Sequence, residues 1–421
     1  MPKSKIKFHY KTVHSVDEIN STQWNSIPTN TIFLDLNYLI SIEKTVSEIT
    51  QFYYVIYYND NNEAIGKSVF QKLQYNTSTF NMQSVPCEKS TKILQYFLKP
   101  KISVLIAGNI FATGDNIYSF NNNFSLESIL YNINLVTNSI FKKDKSLNYS
   151  IFKEFNPNQN KTTTILENHQ YLKFNIDVNM VLNLKSHWQN FNDLATDYRT
   201  KYRSRFKNVL LKSKDIEVKN LSVDDIKKNA IDFQKLYRQV LVNSNFNIGI
   251  FNIETFINLK EKLADKYTVF GYFKDDKLIG FRSAFKKNGD LETSFIGIDY
   301  SVNLKYNLYQ RMLIDFIEFG FKNNVKVIGF GRTAETMKSA FGALPIHMNL
   351  FIRSRKKTGK FLLKLIVQNI KPTEYSLRKP FKKEFYSKVA IEKQEVVITK
   401  NTNCKKMQFC PLQVIKSVLT S

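Results

Sequence analysis

Two stretches of the chain set apolar and polar positions in the same order. Tyr53 to Gly66 reads YYVIYYNDNNEAIG and Tyr267 to Gly280 reads YTVFGYFKDDKLIG. Tyr53, Val55, Tyr58, Ile65 and Gly66 recur, without a gap, as Tyr267, Val269, Tyr272, Ile279 and Gly280. Each stretch is a β-branched and aromatic run, a polar turn (Asn59 to Glu63; Lys274 to Lys277) and a second apolar run. That order predicts a β-hairpin. The copies stand too far apart for a solenoid repeat of about 20–50 residues. They predict two domains of similar fold.

The remaining patterns alternate helix and strand. Tyr38, Leu39, Ile42 and Val46 follow at three- and four-residue spacing behind Asp35, which predicts a capped helix from Leu36 to about Ile49. Ile102 to Ala107 reads as a buried strand ending at Gly108-Asn109. Ser125 caps a long helix with Leu126, Ile129, Ile133, Val136 and Ile140 on one face. Leu147 to Phe152 and Tyr171 to Phe174 are further strand candidates. Trp188 to Ser213 is read as mostly helical and as the seam between the halves. Beyond it, helices are expected at Val223 to Val240, Ile253 to Lys266 and Leu304 to Lys322, with strands at Asp290 to Ile298 and Val325 to Phe330. The fold class is therefore α/β (α+β): mixed sheets flanked by helices, in two units at 1–185 and 186–385. Residues 386–421 form an extension without a motif.

Length agrees with two units, since 421 residues exceed what one core usually supports. Charge adds a constraint. The net charge of +25 implies an anionic partner: nucleic acid, an anionic membrane, a phosphate-bearing cofactor or an acidic carrier protein. Seven bases and no acid fall in Arg199 to Lys214, and eleven bases against Glu374 alone in Phe351 to Lys383. No run approaches the roughly 20 apolar residues of a membrane span, and the polar start MPKSKIKFHYKTVHS lacks a signal-peptide core. A cytoplasmic protein is expected. FLLKLIVQNI (Phe361 to Ile370), after the basic Arg353 to Lys357, is a candidate for peripheral contact with the inner membrane, with an ordinary buried helix as the alternative. Three cysteines without a CxxC pair and five scattered histidines argue against a metal site.

Three stretches carry a family resemblance: FLDLNYLISIEK (Phe33 to Lys44), KYRSRFKNVL (Lys201 to Leu210), and FIGIDYSVNLKYNLYQRML (Phe295 to Leu313) followed by GFGRTAETMKSAFGALP (Gly329 to Pro345). Together they resemble the FemAB-like branch of the GNAT acyltransferase superfamily, over about residues 30–355. The resemblance implies tandem GNAT-like domains and transfer of an acyl group to a primary amine. Some members of this broad branch move amino acids from aminoacyl-tRNA to cell-wall precursors, and related proteins acylate lipid amines from a thioester. The leading expectation is an N-acyltransferase. It would take an acyl group from acyl carrier protein (acyl-ACP) or coenzyme A (acyl-CoA), with no permanently bound cofactor, to an amine-bearing lipid or cell-envelope precursor. The alternatives are a tRNA-dependent transferase and a non-catalytic basic binding module. The sequence departs from the GNAT pattern at Asp299-Tyr300-Ser301-Val302-Asn303, where a glycine-rich pyrophosphate loop is expected. That departure favours a carrier- or tRNA-bound donor.

The candidate residues follow from this frame. Arg332 and Thr333 end the strand Val325 to Phe330, where ligands gather in open sheets; Arg332 would hold an anion and Thr333 would cap the next helix or donate a hydrogen bond. Glu292 and Glu335 are the candidate bases for an attacking ammonium, with a solvent-facing strand residue and a helix first-turn acid as their alternatives. Tyr309 is the candidate acid for the leaving group, with core packing as its other reading. Lys338 is a candidate for a donor phosphate, or a solvated lysine. Tyr202, Arg203 and Arg205 combine ring and charge for a tRNA end or a phosphopantetheine arm, or are core and surface residues. Asn109 occupies the matching strand end of the first half, where a structural turn is the favoured reading.

Overall fold

A computed structural model describes residues 7–29, 31–46, 48, 50–76, 101–121, 124–155, 160–175, 178–243, 251–356, 359–360, 363–364 and 375–388. Apart from Leu363 and Lys364, the stretch Phe361 to Ile370 lies outside the described residues, as do 389–421 of the C-terminal extension. The strands in chain order are β1 (His9–Val13), β2 (Thr50–Tyr58), β3 (Ala64–Asn76), β4 (Lys101–Ala107), β5 (Tyr118–Phe120), β6 (Leu147–Phe155), β7 (Leu172–Phe174), β8 (Val178–Asn183), β9 (Glu217–Asn220), β10 (Tyr267–Lys274), β11 (Lys277–Lys287), β12 (Asp290–Ile298), β13 (Val327–Gly329), β14 (Leu344–His347) and β15 (Asn349–Ser354). They form two sheets, β1-β2-β3-β4-β6-β15-β7 with β5 on β3, and β14-β8-β13-β12-β11-β10-β9.

Both expected hairpins are present. In β2, Tyr53, Val55 and Tyr57 face the core under helix Leu126–Lys143, while Phe52, Tyr54 and Ile56 face the core under helix Leu36–Val46. A strand buried on both faces carries a continuous apolar run rather than an alternating one, as TQFYYVIYY does. The two turns differ in length. β2 and β3 close at Tyr58 and Ala64, whereas β10 and β11 close at Lys274 and Lys277 around Asp275 and Asp276. Those aspartates hold φ of 50° and 60°, as a two-residue primed turn demands. Both hairpins have a register irregularity beside the turn, so Gly66 faces Tyr57 while Gly280 faces Tyr272. The ungapped sequence match is therefore offset by one pair.

Three expected helices are broken. Leu304 to Lys322 divides at Asn307, whose φ of 51° and ψ of 41° separate helix Tyr300–Tyr306 from helix Leu308–Lys322. Asparagine tolerates this left-handed conformation, and periodicity gives no warning of it. Trp188 to Ser213 divides into Phe191–Thr196 and Thr200–Lys212, and Val223 to Val240 into Val223–Lys228 and Ala230–Asn243.

Sheet pairing crosses the division at 185/186 in both directions. β8 lies between β14 and β13 in the second sheet, and β15 lies between β6 and β7 in the first. One core joins the lobes, with Phe33 and Tyr38 of the first edge-on to Phe285 of the second at 5.4 and 5.5 Å.

The lobes differ where a parallel pair lies at the middle of each sheet. β4 and β6 pair from Ser103↔Leu147 to Ala107↔Phe152, with one register shift between Ser103 and Val104. β12 and β13 pair only over Asp290↔Val327, Leu291↔Ile328 and Glu292↔Gly329. The second sheet forks after Glu292, and the first stays closed.

Candidate active site

The fork opens into a cavity of about 300 Å³ between the lobes. Thr293 to Ile296 of β12 form one side and Phe330 to Thr333, after β13, the other. Helices contribute Tyr237, Val240, Tyr309, Leu313 and Phe316, and the first lobe contributes Phe33 and the loop Ile110 to Thr113. Most of the wall is apolar. Glu292, Tyr309, Arg332, Thr333 and Lys338, five of the residues singled out in sequence, all line it.

Glu292 stands at the crotch of the fork. Its carboxyl is pushed up to about 8, first by desolvation and second by the nearby Asp290 charge. Gly329 makes room for it, since a Cβ there would lie 2.2 Å from Glu292 Oε2. The clash is with the end of a flexible side chain, so Gly329→Ala is expected to turn the carboxylate aside rather than unfold the sheet. The expected result is a thermal midpoint close to that of the parent, with the acyl transfer implied by the sequence resemblance reduced; an unchanged rate would show that the carboxylate position does not matter.

Tyr309 is the second residue of helix Leu308–Lys322, and its N–H donates to Asn303 Oδ1 at 3.0 Å. Burial raises its phenol well above the ordinary value, with the Tyr300 and Glu335 charges adding to the rise. It is a neutral O–H donor at physiological pH.

Arg332 reaches across the lobe interface. Its Nη1 lies 2.7 Å from Glu154 Oε1, and the two side chains are 11% and 1% exposed. Glu154 also accepts from Gly114 N–H at 2.5 Å and has Lys153 Nζ 3.4 Å away. Lys153 in turn donates to the carbonyls of Asn109 and Ala112 in the loop that walls the cavity. Gly331, Thr333 and Ala334 hold φ of 70°, 64° and 51°. Left-handed backbone in a β-branched residue costs about 1–3 kcal/mol and persists where neighbours over-determine it. Lys338 supplies part of that constraint, with Nζ donating to the carbonyls of Gly331 at 3.3 Å and Arg332 at 2.6 Å. Burial pushes its ammonium down to about 7, against the pull of Glu335 and with the help of Arg332.

Several expectations are corrected. Thr333 does not cap the helix that follows: Ala334 occupies that position, with no side-chain bond. Lys338 is buried rather than solvated, and it holds the loop. Glu292 is half-buried in the cavity wall rather than facing solvent. Glu335 sits buried in the first turn of helix Glu335–Ala340, outside the lining. Asn109, by contrast, makes the structural turn favoured for it, accepting from Phe111 N–H and donating to Tyr38 Oη at 3.1 Å. Tyr202, Arg203 and Arg205 lie on helix Thr200–Lys212 and do not line the cavity. Tyr202 packs against the second-lobe core, and Arg205 donates to Gln310 Oε1. Sequence reading missed Glu154. Its signal was a Lys-Glu pair inside the apolar run YSIFKEF, since charges in a buried strand call for partners.

No family model and no curated protein matches the sequence. Solved structures do. FemX aligns over 84% of this chain and 100% of its own with 9% identity and a TM-score of 0.52. The C-terminal domain of a putative lysylphosphatidylglycerol synthetase from Agrobacterium fabrum covers 82% and 94% at 7% identity and a TM-score of 0.47. A tandem GNAT protein from the clavulanic acid pathway covers 82% and 98% at 8% identity and 0.45. The two mixed sheets flanked by helices thus share the fold of FemX.

Proposed function

We propose that the protein is an acyltransferase of the second lobe, joining an acyl group from an activated ester or thioester to a primary amine. The observation that carries this reading is Glu292, a carboxyl of raised pKa at the fork of β12 and β13, facing the same apolar cavity as the neutral phenol of Tyr309. The amine nitrogen attacks the acyl carbonyl, and the new C–N bond forms as the C–S or C–O bond of the donor breaks. Glu292 takes the proton that the nitrogen loses, and Tyr309 gives one to the leaving sulfur or oxygen. The apolar wall accommodates an acyl chain or the hydrocarbon part of a lipid amine.

A carrier-bound donor fits better than free coenzyme A. The helix N-terminus at Tyr300 is already served by a carboxylate, since Asp299 Oδ1 accepts from Ser301 N–H at 3.0 Å and from Ser301 Oγ at 2.6 Å. A pyrophosphate there would meet like charge. The basic helix Thr200–Lys212 supports the second reading, an aminoacyl-tRNA donor, because no acid offsets its cations. Purified protein supplied with acyl-ACP or acyl-CoA and a long-chain amine is expected to release free thiol in step with amide. No thiol release across a broad donor and acceptor panel would overturn the reading, and transfer abolished by ribonuclease would assign the donor to tRNA.

A further inference from the structure

We infer that three neighbouring helices on the outside of the second lobe form a docking face for an anionic lipid bilayer. Among the described residues, every large apolar side chain that is exposed lies on helices Thr200–Lys212, Ala230–Asn243 and Tyr300–Tyr306. Ile231 is 87% exposed, Leu304 84%, Val242 81% and Leu211 66%, and Leu210 and Tyr300 add to them. The helices adjoin. Tyr300 N–H donates to Gln239 Oε1 at 3.3 Å. Helix Thr200–Lys212 packs against Tyr300–Tyr306 and against the helix that follows it, Leu308–Lys322, to which Arg205 Nε donates at Gln310 Oε1 over 3.0 Å.

The charge on this face is one-sided. Lys207, Lys212, Lys235, Arg238 and Lys305 are exposed on the same helices, and Asp232 is the one acid in their sequences. Aliphatic tips among long cationic side chains match a bilayer surface, where methyl groups enter the acyl boundary and ammonium groups stay with anionic headgroups. Nucleic acid would instead be met by several aromatic rings that stack on bases, whereas Tyr300 is the one ring among the exposed apolar side chains of this face. Four aliphatic side chains, each mostly in water and spread over three helices, suit a fluid surface rather than the compact patch of a protein partner. A shallow groove along Ala230–Asn243, between Ile231, Val242 and Ile253 with Arg238 beside it, continues the apolar strip. The opposite side of that helix supplies Tyr237 and Val240 to the cavity wall. Docking here would therefore hold the cavity close to the membrane.

The inference concerns the partner surface and is tested without turnover. The full chain is sedimented with vesicles of phosphatidylcholine alone and of phosphatidylcholine mixed with phosphatidylglycerol. Binding is expected only with phosphatidylglycerol and should weaken as salt rises. L211E/L304E should bind roughly tenfold more weakly or worse, since each leucine loses its apolar transfer. K207E/K212E should bind more weakly and with a flatter salt dependence. Acyl transfer to a short water-soluble amine, measured on L211E/L304E, reports the catalytic reading separately and should persist. No binding to phosphatidylglycerol vesicles, or equal binding by parent and L211E/L304E, overturns the inference. So does capture of an acidic carrier protein or tRNA that is lost in the same variants while vesicles are ignored.

Discussion

Glu292→Gln is expected to lower the rate of acyl transfer by about 10²–10⁴-fold, the usual contribution of a positioned general base. The amide keeps the shape of the side chain and cannot accept the proton. The sign of the pH dependence is set by the raised carboxyl, at about 8. The base form is the minor species at neutral pH and grows as pH rises, so the parent's rate should climb through about 8 and the variant's should not. Stability runs the other way. Between the ordinary carboxyl value of 4.5 and about 8 the folded protein binds more protons at this site than the unfolded chain does. Folding stability from this group therefore falls as pH rises across that window, and the glutamine variant should lose that part of the slope. Initial rates and urea midpoints over a pH series measure both. A rising limb that survives in Glu292→Gln would remove the residue from the reaction.

Glu154→Ala is expected to cost roughly 3–5 kcal/mol, because removing one partner of a buried pair leaves the other charge uncompensated. Here two cations lose their carboxylate at once, Arg332 at 2.7 Å and Lys153 at 3.4 Å. Burial already pushes Lys153 down to about 8, with Glu154 the first group that opposes the shift. The loss should appear in urea unfolding. Adding Arg332→Met to Glu154→Ala should cost less than the two single changes together, since both changes remove the same ion pair. A drop of about 1 kcal/mol or less in Glu154→Ala would mean that water or another group takes the place of the carboxylate. Where the variant remains folded, activity should also fall, because the pair fixes the loop Gly331 to Ala334 that walls the cavity.

The sequence made the local elements legible and left their connections hidden. The continuous apolar run of TQFYYVIYY and the i, i+3, i+4 spacing of Tyr38, Leu39, Ile42 and Val46 depend on neighbours close in the chain. β8, β14 and β15 are short, and nothing in VNMVLN or NLFIRS specifies the sheet each joins. The same limit applies to the site. Glu292, Tyr309 and Arg332 stand at strand and helix ends of one half, where position along the chain already suggests a role. Glu154 belongs to the other half and meets Arg332 only through tertiary contact. The break at Asn307 was equally hidden, because one left-handed residue leaves the apolar spacing on either side intact.

The exchange of β8 and β15 has a consequence for taking the molecule apart. A fragment ending at residue 185 would keep β8 without the strands it pairs with, and would present β6 and β7 with a vacant lane between them. The remaining piece would carry β15 as an orphan ribbon and show a gap between β13 and β14. Each half holds the missing stave of the other. Produced separately, both would expose adhesive edges that invite aggregation. Produced together, they have complementary vacancies, and reassembly of the severed chain becomes the natural outcome.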